Sequence, residues 1–208
     1  MEYSKEFKAA LSNFSPIEKD RLIFRLLKKD KLLSKKLYFE LIDPETTDNK
    51  RDAMEEMINE KVLLASKYIG NQTYFLGIVR KLSAEITEHV KITTDKFGDV
   101  SLNLLMIKNI LDYNEDLRTQ RFDNVYKLYI YIINKIFKCL TLTKKLDEDY
   151  WIEIDEYLDK LHDKIQENNY LQKLCINNGL DFNWLTSDRI PDNIESIIKD
   201  IKNHGFLR

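Results

Sequence analysis

The 208-residue sequence predicts an all-α fold, with antiparallel helical hairpins packed as a bundle around one long helix over residues 121–146. Three observations lead there. First, apolar residues along 121–146 recur at steps of three and four in two adjacent sets. Phe122, Val125, Tyr129, Ile132, Ile136, Cys139 and Leu146 make one seam, and Tyr126, Ile130, Ile133, Phe137 and Leu140 make a second. Lys127, Asn134, Lys138, Thr141 and Lys145 are left as the wet stripe. A helix apolar on two faces needs neighbours on both. Second, five Gly and three Pro are too few for the tight turns of an all-β chain of this length. Third, 43% apolar and 11% aromatic residues suffice for a substantial core. The length suits one helical domain over 1–208, and a composition shift allows two packed units, 1–69 and 70–208.

The elements follow in order. Residues 3–12 form a short amphipathic helix with Phe7 and Leu11 on one face. Ser15, Pro16 and Glu18 then supply a capping hydroxyl, a proline at the first helical position and a carboxylate three residues after the cap, so a new helix starts there. Its inner face is Ile17, Ile23, Leu26 and Leu27. Lys28 to Lys31 interrupts the pattern, and Leu33, Leu37 and Leu41 resume it until Ile42-Asp43-Pro44 ends the helix. Residues 15–42 are thus a helical hairpin, one that resembles a HEAT or armadillo unit in length and phasing. A single hairpin does not make a solenoid, which stacks several units to bury a continuous face.

Thr46 to Asp48 caps a helix with Met54, Met57, Ile58 and Leu64 inward, broken at Gly70. The next carries Tyr74, Ile78, Val79, Leu82 and Ile86. Residues 90–100 combine β-branched alternation with a glycine, which predicts a long loop or a small hairpin. Helix returns over 101–113 and again over 121–146. Asp147-Glu148-Asp149 opens a helix with one apolar stripe, Trp151, Ile154, Leu158, Leu161 and Ile165, and a single stripe means an outer position. Tyr170 to Asn177 is a short helix closed by Gly179 in the left-handed conformation. Phe182 and Trp184 form an aromatic anchor, and Ile190-Pro191 starts a last helix that ends before Gly205.

Charge and cysteine content narrow the environment. With 33 basic and 35 acidic residues the net charge is −2, too small to favour nucleic acid as a partner. Cys139 and Cys175 occupy apolar helical positions, which suits buried thiols in a reducing, cytoplasmic compartment better than a disulfide. Residues 1–10 contain no apolar run of signal-peptide length, and the longest apolar run, Leu128 to Ile133, is far too short to span a bilayer, so no membrane association is expected.

Chemistry is sparse. His89 has Glu85 one turn before it and His162 has Asp159 at i−3, but neither is the Glu-x-x-His pair of a di-metal bundle, so no metal and no cofactor is implied. A Mg²⁺-dependent all-α nucleotide pyrophosphohydrolase is the alternative function. Such an enzyme presents carboxylate pairs from helices to a hard cation, and Glu85 with Glu88, and Glu153 with Glu156, have the spacing. The spacing is weak evidence, since 35 acids in 208 residues give about six acid-x-x-acid pairs by chance. The glycines form no phosphate loop, neither cysteine has a histidine beside it, and no catalytic residue is assigned.

The strongest functional signal is electrostatic. From Lys19 to Lys36 the chain carries Arg21, Arg25, Lys28, Lys29, Lys31 and Lys35 against only Asp20 and Asp30, whereas residues 147–167 hold nine acids. The sequence therefore leads to a non-enzymatic helical interaction protein, with a protein partner or self-association through Arg21, Arg25, Lys28, Lys29 and Lys35.

Overall fold

The computed structural model describes residues 2–118 and 121–208, which hold ten α-helices and no β-strand. They are α1 (Lys5–Ser12), α2 (Pro16–Lys29), α3 (Lys31–Leu41), α4 (Thr47–Ser66), α5 (Gln72–Thr93), α6 (Lys96–Asp112), α7 (Phe122–Thr143), α8 (Trp151–Gln166), α9 (Asn169–Asn177) and α10 (Ile194–Asn203). The helix starts obey local chemistry. Side chains of Ser4, Ser15, Asp30, Thr46, Asn71, Asp95 and Asn168 each accept an amide hydrogen bond from the first turn that follows. At α2 the full reciprocal box forms. The Glu18 amide donates to Ser15 Oγ at 3.3 Å and the Ser15 amide donates to Glu18 Oε2 at 2.8 Å.

The all-α architecture is as expected, and the most enclosed helix is α6. Twelve of its 17 residues are buried, among them Val100, Leu102, Leu104, Met106, Ile107 and Ile110. It packs against α4, α5, α7 and α8 at once. The long helix α7 completes the core with both of its seams: Val125, Tyr129, Ile132, Ile136 and Cys139 of the first are sealed, as are Ile130, Ile133, Phe137 and Leu140 of the second. Tyr126 is exposed, and the Phe122 side chain lies outside the described part of the structure. Helix α4, on the N-terminal side of the composition shift, contributes Ile58, Val62 and Ala65 to the same core. Leu64, expected inward, is exposed, because the buried face of α4 runs through 58, 62 and 65. Tyr74 on α5 is exposed for the same kind of reason, with Phe75 and Leu76 taking the inner positions.

Residues 90–100 are neither a long loop nor a hairpin. Helix α5 runs on to Thr93, a two-residue corner follows, and α6 begins at Lys96. The corner is made by local hydrogen bonds that override β propensity. Thr93 Oγ1 donates to the His89 carbonyl one turn back at 2.9 Å, Thr94 takes the left-handed conformation at φ 57°, and Asp95 Oδ1 accepts from the Gly98 amide at 2.8 Å.

The C-terminal third wraps the body. Buried Asn168 caps α9 and donates to Tyr129 Oη at 2.6 Å, while that hydroxyl donates to the Leu117 carbonyl at 3.1 Å, so α7 and α9 are tied through one polar link. Phe182 and Trp184 pack against the core as an anchor. Pro191 lies in a turn, and α10 starts only at Ile194. The thiols of Cys139 and Cys175 are free and buried, and burial pushes each up to about 12, which leaves them as small core groups. No helix among the described residues is long and apolar enough to cross a membrane.

Candidate interaction surface

Helices α1, α2 and α3 contain no buried residue. They form an arm that reaches the body chiefly through α3 lying on α5, while α2 packs on α3. The inner face expected of α2 does not turn inward. Ile17 is 65% exposed, and Ile23 and Leu26 are about half exposed, with Leu27 partly covered by the hairpin itself. Phe24, in the same helix, is 63% exposed. Leu33 and Leu41 of α3 and Phe7 of α1 are likewise exposed. The reason lies in the sequence of α2. Six of its positions are apolar and spread around more than half of the helix, and the two-helix hairpin can cover only a part of them.

Cations flank this apolar surface. Arg21, Arg25, Lys28 and Lys29 are exposed and form no ion pair among the described residues. Lys35 differs, because its ammonium binds Glu88 of α5 at 2.5 Å. The five basic residues read from the sequence therefore divide into four unpaired cations on α2 and one cation that fastens the arm to the body.

At the base of the arm, α3, α4 and α5 enclose a groove of about 650 Å³. Phe39, Met54, Met57 and Ile92 give it an apolar floor, and ion pairs line its rim: Lys35 with Glu88, Lys61 with Glu85 at 2.6 Å, and Lys50 with Asp43 at 3.0 Å. His89 also lines the groove. Its Nε2 is sealed from solvent without a hydrogen-bond partner, 4.0 Å from Asp95 Oδ2. Arg51 binds Asp95 with two bonds of 2.6 and 2.9 Å and stacks on Phe97 with its guanidinium carbon 4.8 Å from the ring centre. Burial pushes the Asp95 carboxyl up, but the neighbouring His89 imidazole, the Arg51 guanidinium and the Gly98 amide outweigh it and bring the acid down to about 2. This cluster ties the start of α6 to α4.

The four carboxylates of the hydrolase alternative do not assemble. Glu85 and Glu88 are neutralised by lysines at the groove, whereas Glu153 and Glu156 sit exposed on α8, a helix that packs on α6 and α9. Among the described residues no group of three or more His, Cys, Asp or Glu is placed to hold a metal ion. His162 is a rim residue, stacked 5.7 Å from Phe182 and bonded to Gln166 at 2.8 Å.

Sequence reading missed the groove and the Arg51–Asp95–His89 cluster, since both join residues more than thirty positions apart. It also missed Ile17 and Phe24 as surface residues, although the breadth of the apolar arc on α2 was a visible signal. The fold and its surface thus define an all-α protein with an apolar, cationic arm. No protein-family model, curated protein or solved structure matches the chain.

Proposed function

We propose that this chain is a non-enzymatic, cytoplasmic helical interaction module whose arm, α1 to α3, docks a protein partner with an acidic, partly apolar surface. One observation supports it above the others: an arm without a buried residue that presents Ile17 and Phe24 beside a stripe of four cations that form no ion pair among the described residues. Large exposed apolar patches rimmed by charge are the usual mark of a binding surface. Apolar side chains supply affinity when covered, and the cations select an acidic partner and speed its encounter.

The test is a variant that changes the arm and leaves the core alone. Arg21→Glu, Arg25→Glu and Lys28→Glu together should abolish recovery of the partner in cross-linking and affinity purification from the source cell. The thermal midpoint should move little, because exposed charges contribute only about 0–1 kcal/mol each to folding. Partner recovery equal to that of the unmodified chain would end the proposal.

A further inference from the structure

We propose that the surface covering the arm is the acidic outer face of α8 on a second copy of this chain; the inference rests on the arm being an interaction surface. The inner side of α8 is spent on the core, through Ile154, Leu158, Leu161 and Ile165. Its outer side carries Ile152, Glu156, Asp159 and Asp163, all exposed, with Glu153 beside them. Ile152 is 79% exposed, an isolated apolar knob at the head of an acidic stripe. None of these four acids forms an ion pair among the described residues.

The two stripes match in spacing and oppose in sign. On α2 the series Ile17, Arg21, Phe24, Lys28 runs at i, i+4, i+7 and i+11, and on α8 the series Ile152, Glu156, Asp159, Asp163 runs at the same intervals. At about 1.5 Å per residue both extend about 16 Å along one helix face. Laid parallel and in register, two such helices set Arg21 against Glu156, Lys28 against Asp163 and Ile17 beside Ile152, with Phe24 opposite Asp159. Within one chain this pairing is not made: α2 packs on α3, and α8 packs on α6 and α9. The unmatched charges of each patch find their complement on the other copy. Because the patches are unlike, two copies either exchange both contacts in a closed dimer or continue head to tail.

Sedimentation of the full chain tests this with a charge swap. The unmodified chain should associate reversibly in about 0.1 M salt and dissociate in about 1 M, where the screening length falls to about 3 Å. The arm variant Arg21→Glu, Arg25→Glu, Lys28→Glu and the face variant Glu153→Lys, Glu156→Lys, Asp159→Lys should each be monomeric alone and should associate when mixed, since both contacts are then complementary again. Circular dichroism checks that each variant keeps its helix content. Ile152→Ser, which disturbs no buried position, should by itself weaken self-association about tenfold or more, the loss of one covered aliphatic side chain. A monomeric unmodified chain, or a mixture that stays monomeric, overturns the proposal, as does a monomer that cosediments with phosphatidylserine vesicles through its arm. If the chain is monomeric yet the arm variant still loses a different partner, self-association fails and the interaction module stands.

Discussion

Residues 5–41 and residues 47–203 are written in the same amphipathic helical pattern, yet one segment buries nothing and the other encloses every buried aliphatic residue of helices α4 to α10. Ile17, Ile23 and Leu26 are as apolar as Ile154, Leu158 and Leu161, though spread over a wider arc of their helix. The second set faces α6, itself enclosed by α4, α5, α7 and α8, and the first faces solvent. Periodicity records that a face wants a neighbour. It does not record whether the neighbour is in the same chain.

The largest effect should separate the two regions directly. Ile136→Ala in α7 should destabilise by about 2–5 kcal/mol, because it empties a fully enclosed site. Phe24→Ala in α2 removes a larger side chain and should cost well under 1 kcal/mol, since that side chain is 63% exposed. Urea midpoints for the two variants decide the matter. Equal losses would mean that the arm is part of the cooperative core.

Next in size is the contact that locks α6 to α4. Asp95→Ala removes the cap of α6 and leaves the Arg51 guanidinium without its main partner, and we expect a loss of about 2–3 kcal/mol, less than for a wholly sealed pair because Asp48 still lies 3.1 Å from Arg51. The same carboxylate predicts a pH window. Its pKa falls on folding from 3.8 to about 2, so its contribution is complete above about pH 4 and is lost as the pH falls towards 2. Over that span about 2 kcal/mol should disappear from the unmodified chain, and Asp95→Asn should flatten this part of the acid-unfolding curve.

How far the sequence reveals this molecule depends on the range of each interaction. Helix starts at Ser15, Thr46 and Asn168 depend on groups two or three residues away, and such signals can be read directly. The two seams of α7 are legible because the apolar residues sit on one helix. The corner at Thr94–Asp95 was not, since a strand-like composition is overruled by Thr93 bonding backwards and Asp95 bonding forwards. Without that corner the helix expected over 101–113 lacks the first turn of α6, which starts at Lys96. Of the site, the cations of α2 were visible and the groove was not. Lys35 and Glu88, assigned from sequence to rival functions, are partners 53 residues apart.

A smaller effect probes the same corner. Alanine is a better helix former than glycine by about 1 kcal/mol, so Gly98→Ala in the first turn of α6 should stabilise if propensity rules. A Cβ at position 98 would, however, stand 2.2 Å from Asp95 Oδ2, and that oxygen is held by Arg51. The carboxylate would have to leave its cap or its ion pair. We therefore expect net destabilisation of about 1–2 kcal/mol, read as a lower thermal midpoint. A raised midpoint would show that the Arg51–Asp95 contact is slack.

The smallest global effect belongs to the arm and is the finest test of its independence. Ser15→Ala removes the hydroxyl that receives the Glu18 amide, a cap whose loss costs a helix about 1 kcal/mol. In a helix wedded to the core that cost would appear in the unfolding midpoint. Since α2 has no buried residue, the loss should instead stay local. Amide exchange in the first turns of α2 should quicken severalfold, while exchange in α6 and the global midpoint hold constant. Slower recovery of a bound partner would follow from the same change, because a frayed α2 must be reordered before Arg21, Phe24 and Lys28 line up on one face. A midpoint that falls in step with the exchange of α2 would join the arm to the cooperative unit, and its exposed apolar face would then be a cost borne by the fold rather than a surface kept for a partner.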